Sequence, residues 1–282
     1  MSPTRGRVTR PTVPPRTRVG IAAAAGPTIE RVRLFENLTA TQRPAWPELE
    51  RLVGEASVTV EILAPDAAIS RRTLEQLQVT TGSYLGAVVV HTGGLLIDHG
   101  WLRVYGSPSP NGPGHLPGLA AMNDFPPAPD AAWSPPYGLV VAHDVLGGTY
   151  VLNGHDPDAA GRPGNPGEMI YLAPDTLQWE RLEAGHAAWL SWVLDGGLSD
   201  FTSGLRWNGW ESETRSLSGD RGLNFFPPLW SKQAHEDLSA TSRAIVPMAE
   251  LVGVARSTAA QIDGVDLGPL GTFDGHPSDS AG

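Results

Sequence analysis

The chain has 282 residues, 40% of them hydrophobic and 18% charged, with a formal net charge of -10 and no cysteine. No stretch of about 18 apolar residues offers a membrane-spanning helix, and the missing thiols exclude disulfide frameworks, thiolate metal centres and cysteine nucleophiles. The negative charge opposes binding to nucleic acid or anionic lipid, so neither nucleic acid nor membrane is expected as a partner; the absence of cysteine fits a cytoplasmic location.

Residues 1–28 carry five arginines, five prolines and no acid. They read as a disordered basic tail. Two other readings stay open: a signal peptide with its apolar run at Val19–Ala25, and a natural start at Val32. Trp46, Leu49, Leu52 and Val53 then mark one helical face, with Pro44 and Pro47 at its start. Val58–Leu63 reads as a strand ended by Pro65-Asp66, and a short helix is predicted over 67–77. Ala87–Val90 favours a strand by propensity, yet Gly93-Gly94 fits a hairpin turn or the end of a helix equally. Leu95–Asp98 and Trp101–Tyr105 read as strand, continuous with a kink at Gly100.

Residues 107–136 hold nine prolines, a length and composition typical of a functional or disordered loop, with a short helix within Leu116–Asp124. A meander follows: strand at Tyr137–His143, turn at Asp144–Gly148, strand at Thr149–Leu152, then strands at Met169–Ala173 and Leu177–Leu182. Ala187, Leu190, Val193 and Leu194 mark a helix, and two short helices are predicted around 201–205 and 209–217. Phe225–Trp230 reads as a proline-broken packing loop, Ser242–Pro247 as extended chain, and Met248 starts the last helix. After Ile262 the Asp, Gly and Pro content predicts a mobile acidic tail, 263–282. Removing both tails leaves about -11 on the middle of the chain. The expected architecture is a single α+β domain over 29–262, with a central, mostly antiparallel sheet of about five to seven strands flanked by helices.

The segment from Thr92 through Gly93, Gly94 and Asp98 to Arg103 resembles a bacterial family catalogued as domain of unknown function 2625. The resemblance continues at Gly138–Asp144, Gly147-Gly148, Asn153-Gly154, Tyr171–Leu177, Leu205–Trp207 and Leu229–Lys232, and covers about residues 33–256. It also places the segment 84–92 in a helix ending at the glycine pair. That family is in turn similar to the SUKH superfamily, in which many bacterial members are immunity proteins that bind toxin domains. The similarity implies a SUKH-like binding fold without a shared catalytic residue set. The Arg-rich tail and the proline-rich segment depart from the compact family pattern.

The chain offers no Gly-x-Ser-x-Gly elbow, P-loop or Gly-x-Gly-x-x-Gly, and its eight histidines never take the His-x-x-x-His spacing. No metal and no cofactor are therefore expected, and no catalytic residue is assigned. Asp98-His99 and His143-Asp144 are the His–Asp neighbours near strand ends, and His99 could meet Asp144 from a different strand. Asp144 otherwise suits a turn that accepts its own backbone amides. Trp207 and Trp210, three apart beside Arg206, read as core or as one exposed helical face; Trp and Arg are both favoured at binding hot spots. Trp101 and Arg103 share a strand, where the arginine pairs with an acid or stacks on a ring. The candidate binding residues are thus Asp98, His99, Trp101, Arg103, Asp144, Arg206, Trp207 and Trp210. The leading reading is a non-enzymatic protein-binding module, with an immunity-type partnership to a toxin as its specific form. The alternatives are a small-molecule hydrolase or metal-dependent enzyme with its site near His99 and Asp144, and a regulatory or structural interaction protein without a toxin link. The sequence names no partner and no oligomeric state.

Overall fold

Side-chain caps set the helix starts. Asp66 stands in extended backbone and its carboxylate accepts the amides of Ala68 and Ile69 at 2.9 and 2.8 Å, opening the helix over Ala67–Leu77. Ser83 does the same for Gly86 at 3.1 Å, opening the helix over Tyr84–His91. This second helix contains the β-prone run Ala87–Val90. Burial overrides propensity there, because Ala87, Val88 and Val89 are all fully enclosed. Thr92 ends it by bonding back to the Val88 carbonyl at 2.9 Å.

The computed structural model describes residues 32–108, 116–130, 133–135, 137–262 and 264–273. The expected basic tail 1–28 lies outside the described residues, as does the end of the acidic tail from 274. In chain order the elements are α1 (Phe35–Thr39), α2 (Trp46–Gly54), β1 (Val60–Leu63), α3 (Ala67–Leu77), α4 (Tyr84–His91), β2 (Gly94–Ile97), β3 (Leu102–Tyr105), α5 (Leu119–Met122), β4 (Gly138–Asp144) and β5 (Thr149–Asn153). There follow β6 (Met169–Leu172), β7 (Trp179–Arg181), α6 (His186–Leu194), α7 (Gly197–Phe201), α8 (Trp210–Arg215), β8 (Arg221–Phe226), α9 (Lys232–Glu236), β9 (Ser242–Pro247) and α10 (Met248–Ile262).

Strands β1 to β7 form one antiparallel sheet in sequential order, and β8 pairs with β9 in a second, two-stranded sheet. The α+β architecture with an antiparallel central sheet is as the sequence predicts. Every residue of β3 and β6 is buried, so the sheet is covered on both faces at these strands. Helices α2, α3, α4 and α6 pack on one another, and α10 lies against β8 and β9. Trp101, Trp189, Tyr105, Tyr150 and Tyr171 are among the largest fully buried side chains, each removing about 150–250 Å² from water.

Three expectations are corrected. Leu95–Asp98 and Trp101–Tyr105 are not one kinked strand but two antiparallel strands, with Ile97 opposite Leu102 and Gly100 inside the connecting turn. The stretch from Phe225 begins in strand rather than loop: Leu223 and Phe225 alternate with Asn224 and Phe226 across β8, and the chain leaves the ladder at Pro227. The ordered unit also extends past Ile262. Leu267, Leu270 and Phe273 are buried, and the Leu270 carbonyl accepts from His143 Nε2 at 2.8 Å. Gly and Pro content reads as mobility, but an apolar residue at every third position buries that segment.

The described part of the proline-rich segment is also built in. Asn123 reproduces a strand's pairing with β4: its Oδ1 accepts the Val140 amide at 2.8 Å and its Nδ2 donates to the Val140 carbonyl at 2.9 Å. A bulge follows at once, where the β4–β5 register shifts between Val140 and Ala142.

Candidate functional site

The turn between β2 and β3 carries three consecutive residues in the left-handed region, Asp98, His99 and Gly100, at φ 55°, 58° and 77°. Each L-residue placed there costs about 1–2 kcal/mol, although Asp and His tolerate it better than most. Contacts from distant parts of the chain hold the turn. Thr59 accepts the Asp98 amide on its carbonyl and the His99 amide on its hydroxyl, both at 2.7 Å. Thr214 Oγ1 donates to the His99 carbonyl at 3.0 Å. Arg206 Nη2 donates to Asp98 Oδ2 at 2.5 Å, in an ion pair whose side chains are only 12% and 8% exposed.

Arg206 is itself fixed by tryptophan. Its guanidinium lies 4.1 Å from the Trp210 ring centroid and 5.1 Å from that of Trp101, and its Nε donates to Thr202 Oγ1 at 2.9 Å. Trp101 meets Trp210 edge-on at 5.4 Å and Trp207 at 5.9 Å. The cluster continues inward through Phe225, and Arg243 covers Trp207 at 4.9 Å while forming a two-point bond to Glu213. Those bonds from Arg243 hold the Glu213 carboxyl below its ordinary range. Outward, the half-buried Trp210 meets the His99 ring at 5.8 Å. Glu211 reaches His99 Nε2 at 4.0 Å, and Arg215 contacts His99 Nδ1. The result is a half-buried aromatic rimmed by exposed acid and base, over a braced turn.

Six of the eight predicted residues thus meet at one place: Asp98, His99, Trp101, Arg206, Trp207 and Trp210. Trp207 and Trp210 do not share a helical face, however. Gly209, at φ 84°, caps α8, so Trp207 precedes the helix and is buried while Trp210 opens it. Thr59, Thr214, Glu211 and Arg215 were not singled out from the sequence. The spacing that carries the last three is the i,i+4 pattern on α8, with Trp210 above Thr214 and Glu211 above Arg215.

Arg103 and Asp144 lie elsewhere. Arg103 is buried on β3, where Nη1 donates to the Arg221 carbonyl at 2.6 Å and Nη2 has no hydrogen-bond partner among the described residues. Burial pulls its pKa down to about 10. Neither the expected acid nor a ring meets it directly. Asp144 Oδ1 accepts the amides of Leu146 and Gly148 at 2.9 and 2.8 Å, and Oδ2 accepts the Tyr171 hydroxyl at 2.8 Å. Burial raises the Asp144 pKa, against the pull of those three donors. His143 is enclosed between Tyr105 and Leu270, and burial lowers its pKa to about 3. His99 and Asp144 therefore have separate hydrogen-bond partners, and no hydrogen bond among the described residues joins them. Among the described residues no group of three or more His, Asp or Glu is placed to hold a metal ion. No helix among them is long and apolar enough to cross a membrane.

These features define an α+β domain on a seven-stranded antiparallel meander, with an arginine–tryptophan cluster bracing a left-handed turn. The chain belongs to the family described as "Protein of unknown function DUF2625", which matches it over residues 35–251. It is 34% identical over 220 residues to YbfG of Escherichia coli (strain K12), itself uncharacterised; the match spans 78% of this chain and 94% of that protein. An uncharacterised protein of Haemophilus influenzae (strain ATCC 51907 / DSM 11121 / KW20 / Rd) is 34% identical over 200 residues, 70% of this chain and 83% of the relative. No solved structure matches the chain.

Proposed function

We propose that the chain is a non-enzymatic, cytoplasmic protein-binding module whose partner surface is the rim of the arginine–tryptophan cluster: His99, Trp210, Glu211 and Arg215. The carrying observation is the strained Asp98–His99–Gly100 turn, which the ion pair to Arg206 and the bond from Thr214 over-determine. Backbone strain held in this way clusters at functional sites. A half-buried tryptophan beside arginine is the kind of anchor that dominates binding energy. The groups best suited to catalysis are engaged inside the fold: Asp144 with its own turn and Tyr171, His143 with Tyr105 and Leu270. The resemblance to the SUKH superfamily read from the motif order supports a toxin domain as the specific partner class.

The test is quantitative affinity capture from the native host, comparing wild type with Glu211→Lys and Arg215→Glu, and with Lys232→Ala on α9 as control. A protein held by wild type and by the control, and lost from both rim variants, supports the reading. Capture that is indifferent to the rim variants refutes it. Near-UV circular dichroism establishes that the variants are folded.

A further inference from the structure

The segment 264–273 lies against the body of the protein as a strap without helix or strand. It repeats in threes: Leu267-Gly268-Pro269, Leu270-Gly271-Thr272, Phe273. Leu267, Leu270 and Phe273 are buried while Val265 ahead of them is exposed, and Gly264, Gly268 and Gly271 take positive φ, 64°, 68° and 98°. At Gly271 an added Cβ would stand 3.1 Å from Met122 Sδ and 3.2 Å from His143 Cε1, so the strap is closely seated.

The body holds the strap mainly by its backbone. Arg162 Nη2 donates to the Pro269 carbonyl at 2.8 Å, His143 Nε2 donates to the Leu270 carbonyl at 2.8 Å, and the Thr272 amide donates to the Met122 carbonyl at 3.0 Å. One side-chain bond is added, from Thr272 Oγ1 to Asp124. Phe273 lies edge-on to the His143 ring at 5.3 Å. Main-chain bonds combined with pockets for spaced side chains are the general chemistry of extended-peptide recognition. The strap is also open along one flank. A cleft of about 710 Å³ runs beside it, walled by Gly268, Pro269 and Gly271 on the strap and by Trp133, Tyr137 and Arg256 opposite. Finally, the strap lies outside the residues that match the family, 35–251, while His143, Arg162, Met122 and Asp124 lie within them.

We propose that this groove is a recognition site for a peptide segment without secondary structure that carries an apolar residue at every third position. The chain fills the groove in cis with residues 264–273 and opens it to a partner's segment when the strap leaves. This deepens the binding-module reading but concerns a different surface, so capture that depends on Glu211 and Arg215 can succeed or fail independently of it.

The experiment uses the full chain with a protease site inserted between Ile262 and Gly264, before and after cutting. The probe is a fluorescein-labelled synthetic peptide of residues 264–273, with a Leu270→Asp peptide as control. A tethered competitor has an effective concentration of about 1 mM, so a peptide with a Kd of about 10 μM should bind the uncut protein roughly 100-fold more weakly than the cut one. Saturable binding after cutting, with release of the native fragment and no binding of the control peptide, is the expected result. Equal binding before and after cutting overturns the proposal, and so does failure to bind the peptide after cutting. Loss of near-UV circular dichroism on cutting overturns it too, because the strap would then be an indispensable part of the core.

Discussion

Removing the charge from either side of the Asp98–Arg206 pair should show how the turn is held. Asp98→Asn keeps a residue that tolerates the left-handed region and removes only the carboxylate charge. Arg206→Met keeps the aliphatic stem and removes the guanidinium. The arginine variant leaves Asp98 with Ser199 Oγ, at 3.4 Å, as its remaining side-chain donor among the described residues. Breaking a fully buried ion pair costs about 3–5 kcal/mol. The residual exposure of these side chains, 12% and 8%, lowers this to about 2–3 kcal/mol for the ionic part. Stacking on Trp210 and Trp101 adds about 1 kcal/mol to the arginine variant. That part is lost with or without Asp98, so it cancels from a double-mutant cycle. The expected coupling energy is about 2 kcal/mol. Urea unfolding of the four proteins, followed by tryptophan fluorescence and far-UV circular dichroism, measures it. A coupling below about 0.5 kcal/mol, the level of an exposed pair, would refute the claim that this ion pair braces the turn.

Gly148→Ala should destabilise the protein by about 1–3 kcal/mol, because the new Cβ would collide with the Asp144 carboxylate and stand 2.6 Å from the Tyr171 hydroxyl; a lowered thermal midpoint checks this. Burial holds His143 at about 3 and His186 at about 4 in the folded state, against about 6.5 when unfolded. Their neutral forms therefore favour folding fully above pH 6.5, and each contribution declines by about 1.4 kcal/mol per unit as pH falls toward the folded value. Asp144, whose pKa is raised, opposes this trend. His143→Asn should remove one histidine's share of the slope between pH 6 and 4, read from urea titrations at about half-unit steps; an unchanged slope would show that His143 is not held neutral. The rim variant Arg215→Glu should stay within about 0.5 kcal/mol of wild type by chemical denaturation, since Arg215 is exposed.

Local chemistry was legible wherever it decided the local structure. The helix predicted over 67–77 forms with Asp66 as its cap, and the turn residues Asp144–Gly148 between two apolar runs announce the meander. Gly100 was misread for the opposite reason. Nothing near Asp98 and His99 dictates positive φ; Arg206 and Thr214, more than a hundred residues later, hold it. The strap is hidden by its composition and revealed by its period. Its glycines and Pro269 look mobile, while Leu267, Leu270 and Phe273 provide three anchors at equal spacing. For the site, residue types were readable but convergence was not. Trp, Arg and Asp pointed to a binding role one by one, and only the fold distinguishes Trp210 on the rim from Trp207 within, or removes Arg103 and Asp144 from the cluster.

The seven strands pair in the order in which a ribosome makes them. The β4–β5 and β6–β7 hairpins can close as soon as their second strands emerge, with little loop to order, whereas α3 and α4 come between β1 and β2 and α5 between β3 and β4. The β2–β3 turn breaks this schedule, because its brace arrives only with residues 206–214. A nascent chain stopped at Leu194 would hold every strand of the large sheet and still lack the finished turn. A partner that reads the Arg206-braced turn consequently reads synthesis past Thr214, and chains that stop short of it are invisible to that partner.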